Sequence, residues 1–257
     1  MTVVTATCAL ILEAYTTGPP IAPVRDRIRS ITDAYAVQQA SVDVWLARGR
    51  TVAGHKIGLT SKAVQEQLGV DEPDFGVLFG DMILHDGAGV GAGQILQPRI
   101  EGELAFVLKR DLRGERLSAE DAVEATDYIC PALEICGSRI AGWDIRITDT
   151  ISDNASAGMV VLGKTRVKPT LDELADVSMA LRHNGALGAE GRGSPCLGNP
   201  AVAVAWLAEM LTRLGGGLRA GEIIMSGALA KMIAAEPGSN FLADFGNLGA
   251  VGVQFGR

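Results

Sequence analysis

The chain has 257 residues, 47% hydrophobic and 21% charged, with a formal charge of −7 at neutral pH. That length and composition suit one substantial globular domain and exclude intrinsic disorder. The acidic balance argues against nucleic acid or an anionic membrane surface as partner, while a bound cation would still admit an anionic substrate.

The 32 glycines against 10 prolines imply many tight turns and a strand-rich fold. Cys8, Cys130, Cys136 and Cys196 include no CxxC pair. With three histidines in the chain, a structural zinc site is not expected, and the reading is of buried, reduced thiols in a cytoplasmic protein.

In chain order, residues 5–15 form an apolar helical segment. It has no basic leader, and Glu13 interrupts it before membrane-spanning length, so neither a signal peptide nor a membrane span is expected. Pro19, Pro20 and Pro23 break the chain. Ser30 and Asp33 then open a second helix that carries Tyr35, Val42, Trp45 and Leu46 and stops at Gly49. From residue 52 the pattern changes to short strands, over 52–58, 100–108, 129–136, 158–163, 177–182, 222–228, 240–245 and 250–255. Asn184-Gly185 is a hairpin signal. Ser118 with Asp121 opens a helix that stops before Pro131. Asn199 and Pro200 open another that runs through Trp206 and Leu211 to Gly215. The expected architecture is α+β: a helical N-terminal region over residues 1–50, then a β-rich, mixed domain with peripheral helices over 51–257.

Two glycine motifs resemble phosphate loops and lack the mechanism. Gly158-MVVL-Gly163-Lys164-Thr165 has a strand-like interior and no prompt helix after it, so its amides cannot wrap a phosphate. Gly87-Ala-Gly89-Val-Gly-Ala92 is followed too soon by Pro98 for the helix of a dinucleotide fold, and reads as a glycine-rich surface turn.

The chemistry concentrates in Pro98-RIEGELAFVL-108. Strand alternation puts Ile100, Gly102, Leu104, Phe106 and Leu108 on one face, and Glu101, Glu103, Ala105 and Val107 on the other. Residues two apart on a strand lie roughly 7 Å apart, so two carboxylates point the same way from an apolar element. A third, Glu134, lies in the apolar run Cys130–Cys136. Buried carboxylates are costly unless paired or metal-bound, and three carboxylates suit a hard cation such as Mg²⁺ or Mn²⁺. The alternative is two solvent-facing glutamates and a salt-bridged Glu134; spacing does not separate the two.

Motifs along the whole chain resemble the fumarylacetoacetate hydrolase superfamily. They are closest to its 2-hydroxypentadienoate (2-keto-4-pentenoate) hydratase and 4-oxalocrotonate decarboxylase group. They are Gly54–Ser61 (GHKIGLTS), Gln67–Gly76 (QLGVDEPDFG), Pro98–Glu103 (PRIEGE), Pro131–Glu134 (PALE), Gly137–Ile140 (GSRI), Trp143, Asp149–Ser156 (DTISDNAS), Cys196–Pro200 (CLGNP) and Ser226–Leu229 (SGAL). Val70–Gly76 and Arg192–Pro200 look more like the hydratases. Lys231–Ser239 departs by lacking the aspartate that commonly follows its glycine.

The resemblance implies the family's β roll. It also implies a metal held by Glu101, Glu103 and Glu134, and a homo-oligomer that associates, as a further option, with another enzyme of its pathway. The implied substrate is a 2-hydroxy-2,4-dienoate or 2-oxo acid, hydrated to a 4-hydroxy-2-oxo acid in aromatic-compound catabolism. Lys56 is the expected proton shuttle, its pKa lowered by burial and a cation. Asp74, in a turn after Pro73, would orient or activate water, with helix capping or stabilisation of that turn as the competing role. Ser156 would hydrogen-bond the substrate carboxylate, with local turn capping as the competing role, and Ser226, at the end of a strand beside Gly227, is a further substrate-binding candidate. The competing readings are a decarboxylase on the same scaffold, a C–C hydrolase (disfavoured because no serine–histidine dyad is evident), and a non-catalytic partner subunit.

Overall fold

The computed structural model describes residues 2–62, 65–66, 70 and 72–257. Within the Gln67–Gly76 motif, residues 67–69 and 71 lie outside that description.

Two N-terminal helices come first, α1 (Val3–Thr17) and α2 (Ile31–Ala47). Ser30 caps α2 as expected, its Oγ accepting from Asp33 N at 3.0 Å and donating to Asp33 Oδ2 at 2.7 Å. Such a cap satisfies helix-end N–H groups that would otherwise lack partners.

Thirteen strands follow among the described residues: β1 (Val52–Gly58), β2 (Asp74–Phe79), β3 (Ile83–His85), β4 (Ala88–Val90), β5 (Arg99–Leu108), β6 (Thr126–Cys136), β7 (Met159–Leu162), β8 (Ser178–His183), β9 (Ala186–Arg192), β10 (Ile223–Met225), β11 (Ile233–Ala234), β12 (Asn240–Asp244) and β13 (Ala250–Phe255). Four more α-helices interrupt them among the described residues: α3 (Ala119–Ala125), α4 (Ile147–Ser152), α5 (Leu171–Asp176) and α6 (Pro200–Arg213). The fold is α+β, as the sequence predicts.

An eight-stranded sheet runs in the order β2-β1-β10-β5-β6-β7-β3, with β11 beside β5; a five-stranded sheet runs β4-β13-β12-β8-β9. The alternation read in β5 decides how they stack. Ile100, Leu104, Phe106 and Leu108 join Leu133, Ile135 and Ile224 in the main core, with Leu181, Phe241 and Val253 of the second sheet and Val204 and Leu207 of α6. Gly102 leaves room for that stacking: a Cβ there would stand 2.7 Å from Met179 Cε. The opposite face carries Ala105, Cys130, Ala132 and Met225, which pack with Val42 and Trp45 of α2. The acidic side chains of β5 and β6 belong to this second face.

Several elements differ from expectation. Asp74 begins β2 rather than sitting in a turn, and pairs with Gly58 across to β1. The glycine-rich 87–92 stretch is not wholly a turn, because Ala88–Val90 pairs in parallel with β13. Strand β6 runs through Pro131, a residue that cannot donate to a ladder. This is tolerated because β7 pairs only from Ala132 onward, and the Pro131 carbonyl still accepts from Gly163 N at 2.8 Å. The Asn184-Gly185 hairpin forms, with φ of 50° and 83°, the left-handed values that a tight two-residue turn requires. Among the described residues no helix is long and apolar enough to cross a membrane.

Candidate active site

Strands β5 and β6 pair so that Glu101 lies directly opposite Glu134 and Glu103 opposite Ala132. The three carboxyl groups therefore share one face. All are buried, Glu103 and Glu134 completely, which removes the solvent-facing alternative. One carboxylate oxygen each of Glu101 and Glu134 and the Cys136 thiol lie within 4.8 Å of one another. Cys136 Sγ donates to Glu101 Oε2 at 3.6 Å. Glu103 is anchored one step along, its Oε2 accepting from Gly227 N at 2.9 Å.

Lys56 reaches over from β1, its Nζ 3.4 Å from Glu134 Oε1. Glycines make this possible. Lys56 faces Gly76 on β2, and Asp74 faces Gly58 on β1. A Cβ at Gly58 would stand 2.2 Å from Asp74 Oδ1 and 3.3 Å from Lys56 Nζ. Asp74 is buried and accepts from Thr150 Oγ1 of α4 at 3.3 Å.

The electrostatics follow from four carboxyl groups and one ammonium in a dry site. Burial, then the Glu134 charge, push Glu101 up to about 7 against the opposing pull of Lys56. Glu103 is raised well above the carboxylate range, by burial first and then by Glu134 and Glu101. Asp74 is raised by burial, with Lys56 and the Thr150 hydrogen bond opposing. Burial works to lower the Lys56 pKa, but Glu134, Cys136, Asp74 and Glu101 together raise it well above the lysine value. In the metal-free protein the surrounding acids thus outweigh desolvation and hold Lys56 as an ammonium, the reverse of the lowering expected from burial with a cation alongside.

Such a cluster fits a divalent cation. Both oxygens of Glu134 and Oε1 of Glu103 are buried without any hydrogen-bond partner among the described residues, an expensive state for carboxylates unless a cation takes them. The carboxylate donors favour a hard ion.

Ser156 ends a tight turn, Asn154–Ser156, in which three consecutive non-glycine residues have φ of 53°, 50° and 55°. Left-handed backbone costs roughly 1–2 kcal/mol per L-residue, so the turn persists only because its surroundings impose it. The Asn154 side chain imitates a strand against β2, accepting from Val77 N at 2.8 Å and donating to Val77 O at 2.9 Å. The turn packs on the site face, since a Cβ at Gly76 would stand 2.3 Å from Asn154 O. Ser226, just after β10, is fully buried. Its carbonyl accepts from Cys196 Sγ at 2.8 Å, and its neighbour Gly227 binds Glu103. Neither Ser156 Oγ nor Ser226 Oγ has a hydrogen-bond partner among the described residues.

The structure thus unites Lys56, Asp74, Glu101, Glu103 and Glu134, while neither Ser156 Oγ nor Ser226 Oγ hydrogen-bonds to the carboxylates. Sequence reasoning missed Cys136, Thr150, Gly58, Gly76 and Asn154. Cys136 was reachable, being two residues from Glu134 and so on its face. A surface depression of about 400 Å³ lies between the β8–β9 hairpin and residues 231–234, and one of about 430 Å³ on the five-stranded sheet around Leu242; the three glutamates line neither.

Residues 45–255 match the family described as Fumarylacetoacetate (FAA) hydrolase C-terminal. A 2-keto-4-pentenoate hydratase of Paraburkholderia xenovorans (strain LB400) is 47% identical over 245 residues, covering 95% of this chain and 91% of its own. A 2-hydroxyhexa-2,4-dienoate hydratase of Comamonas testosteroni is 42% identical over 247 residues, covering 95% and 94%. Among solved structures, 4-oxalocrotonate decarboxylase from Pseudomonas putida G7, complexed with magnesium and adipate, superposes with a TM-score of 0.93 at 31% identity, covering 98% of this chain and 97% of that one. By sequence match and by structural likeness alike, the chain belongs to the fumarylacetoacetate hydrolase family.

Proposed function

We propose that this chain is a metal-dependent hydro-lyase. It adds water to a 2-hydroxy-2,4-dienoate and gives a 4-hydroxy-2-oxo acid, a step of aromatic-compound catabolism. The observation that carries the reading is Glu134, fully buried, with neither oxygen hydrogen-bonded among the described residues and Oε1 ion-paired to Lys56 Nζ at 3.4 Å, in a chain 47% identical to a 2-keto-4-pentenoate hydratase.

Glu101, Glu103 and Glu134 would hold the ion, Mg²⁺ or Mn²⁺. When bound, it supplies Lewis-acid stabilisation of negative charge on the substrate's C2 oxygen. Lys56, held as an ammonium, gives a proton to C5 and recovers the one from the C2 hydroxyl, so the dienol becomes a 2-oxo-3-enoate with an electrophilic C4. Asp74 takes a proton from the water whose oxygen bonds to C4, and that proton returns at C3. Ser156 and Ser226 supply free hydroxyls for the substrate, with Ser156 receiving its carboxylate.

In this reading the helical region of residues 1–50 supports a β-rich catalytic domain of residues 51–257. The protein works in the cytoplasm as a homo-oligomer, with association to another enzyme of the pathway as a further feature. The four free, buried cysteines are consistent with a reducing compartment.

A 4-oxalocrotonate-type decarboxylase is the second reading, favoured by the TM-score of 0.93. Identity orders the two, 47% to the hydratase against 31% to the decarboxylase. Incubating the Mg²⁺ and Mn²⁺ forms with a panel of 2-hydroxydienoates that includes a 2-hydroxydienedioate, whose second carboxylate can leave as carbon dioxide, and identifying products by mass, separates them. Addition of one water with loss of dienoate absorbance is expected. Release of carbon dioxide would transfer the assignment to the decarboxylase, and full turnover by metal-stripped protein would remove the metal from it.

A further inference from the structure

We propose that Arg139 is a positioning residue, which fixes the left-handed turn and so presents Ser156 to the carboxylate of a 2-oxo acid. The inference rests on the reading above, in which Ser156 receives that carboxylate.

Arg139 is buried and spans both ends of the turn. Its Nε donates to Asp153 Oδ1 at 2.5 Å and its Nη2 to Asp153 O at 3.0 Å, on the entering side. Nη1 and Nη2 donate to Ala157 O at 3.3 and 3.4 Å, on the leaving side. Its backbone N donates to Asp153 Oδ2 at 2.9 Å. One planar fork thus holds the two carbonyls that bracket Asn154, Ala155 and Ser156, a geometry a lysine's point charge cannot reproduce. The far face of the guanidinium lies against Tyr15 of α1, 3.9 Å from the ring centroid. The N-terminal helix therefore acts on the turn through this contact. Ser156 Oγ, buried and without a hydrogen-bond partner among the described residues, is the group the clamp would present.

The test uses pyruvate, the simplest 2-oxo acid, titrated calorimetrically into the intact Mg²⁺-loaded protein. Dienoate turnover is measured separately, so failure of the hydratase reading is seen on its own. Ser156→Ala should weaken pyruvate roughly tenfold or more, as for loss of a hydrogen bond to a charged group. Arg139→Lys should weaken it roughly three- to tenfold, the size of couplings within one network. In the Ser156→Ala background the Arg139→Lys change should cost less than about twofold, while Mn²⁺ affinity stays within about twofold of the parent. Tyr15→Leu, which spares the buried ion pair, should give a smaller loss of the same kind. Unchanged pyruvate affinity in Arg139→Lys, or an equal penalty with and without Ser156, would overturn the proposal. Normal affinity in Ser156→Ala, or no pyruvate binding by the parent protein, would overturn both it and the role given to Ser156.

Discussion

Glycine 58 shows how much of this site depends on what is left out of it. Lys56 and Asp74 lie on adjacent strands, and each faces a glycine across the ladder. That empty volume lets a lysine and an aspartate be buried side by side. Gly58→Ala would put a methyl 2.2 Å from Asp74 Oδ1 and 3.3 Å from Lys56 Nζ, with no alteration of β pairing. The expected result is an unchanged far-ultraviolet circular dichroism spectrum with kcat/KM down on the order of a hundredfold, the cost of misplacing a reacting group by about 1 Å. Activity near the parent's would show that Lys56 and Asp74 need not hold these positions. Glu134 tests the other half of the cluster. Replacement by Gln keeps the shape and removes the charge that faces Lys56 at 3.4 Å. Mn²⁺ affinity, read by calorimetry, should fall by more than the roughly 10–100-fold typical of residues one shell further out. A smaller loss would take Glu134 out of the ligand set.

At the scale of elements, legibility in the sequence followed locality. The β5 alternation could be read because its period, its apolar partners and its two glutamates all lie within one short run. The caps at Ser30, Ser118 and Asn199 were equally local, and each forms its expected hydrogen bond. Strand β2 was not legible, because Glu72-Pro73-Asp74 carries turn chemistry and only the ladder to β1 draws Asp74 into a strand. The turn at Asn154 was not legible either. Nothing local favours three left-handed residues in a row; Val77 and Arg139, both distant in sequence, impose them. Asn154→Ala follows from that dependence. It removes both bonds to Val77 and leaves a buried N–H and C=O unpaired, at a cost of about 2–4 kcal/mol. It also places alanine where asparagine tolerates a left-handed φ better. Urea denaturation should show a lower midpoint with unchanged slope; an unaltered midpoint would mean the turn holds itself.

The whole molecule carries an acidic cluster inside a core, and its stability must therefore depend on proton and cation together. Glu101 is pushed up to about 7, by burial and by Glu134, and Glu103 and Asp74 are raised as well. A carboxyl whose pKa is higher folded than unfolded binds its proton more tightly in the native state. Between the unfolded value near 4.5 and the folded value, the native protein carries more protons, so stability falls as pH rises through that window. For Glu101 alone, the rise from 4.5 to about 7 corresponds to on the order of 3 kcal/mol. Asp153, raised to about 6 by burial against the pull of Arg139, adds a change of the same sign. Asp111 and Asp121, whose pKa values are lowered by hydrogen bonds, finish titrating below the window. Lys56, raised, stays protonated in both states across it. Metal-free protein should accordingly melt about 5–10 °C lower at pH 7.5 than at pH 5, given the few degrees that each kcal/mol moves a chain of this size. Added Mn²⁺ should raise the melting temperature more at pH 7.5 than at pH 5.5, because at the lower pH the ion must first displace protons from its ligands. Melting that rises with pH in metal-free protein, or an equal Mn²⁺ effect at both pH values, would mean that these carboxyl groups do not sit together in the dry interior where β5 and β6 place them.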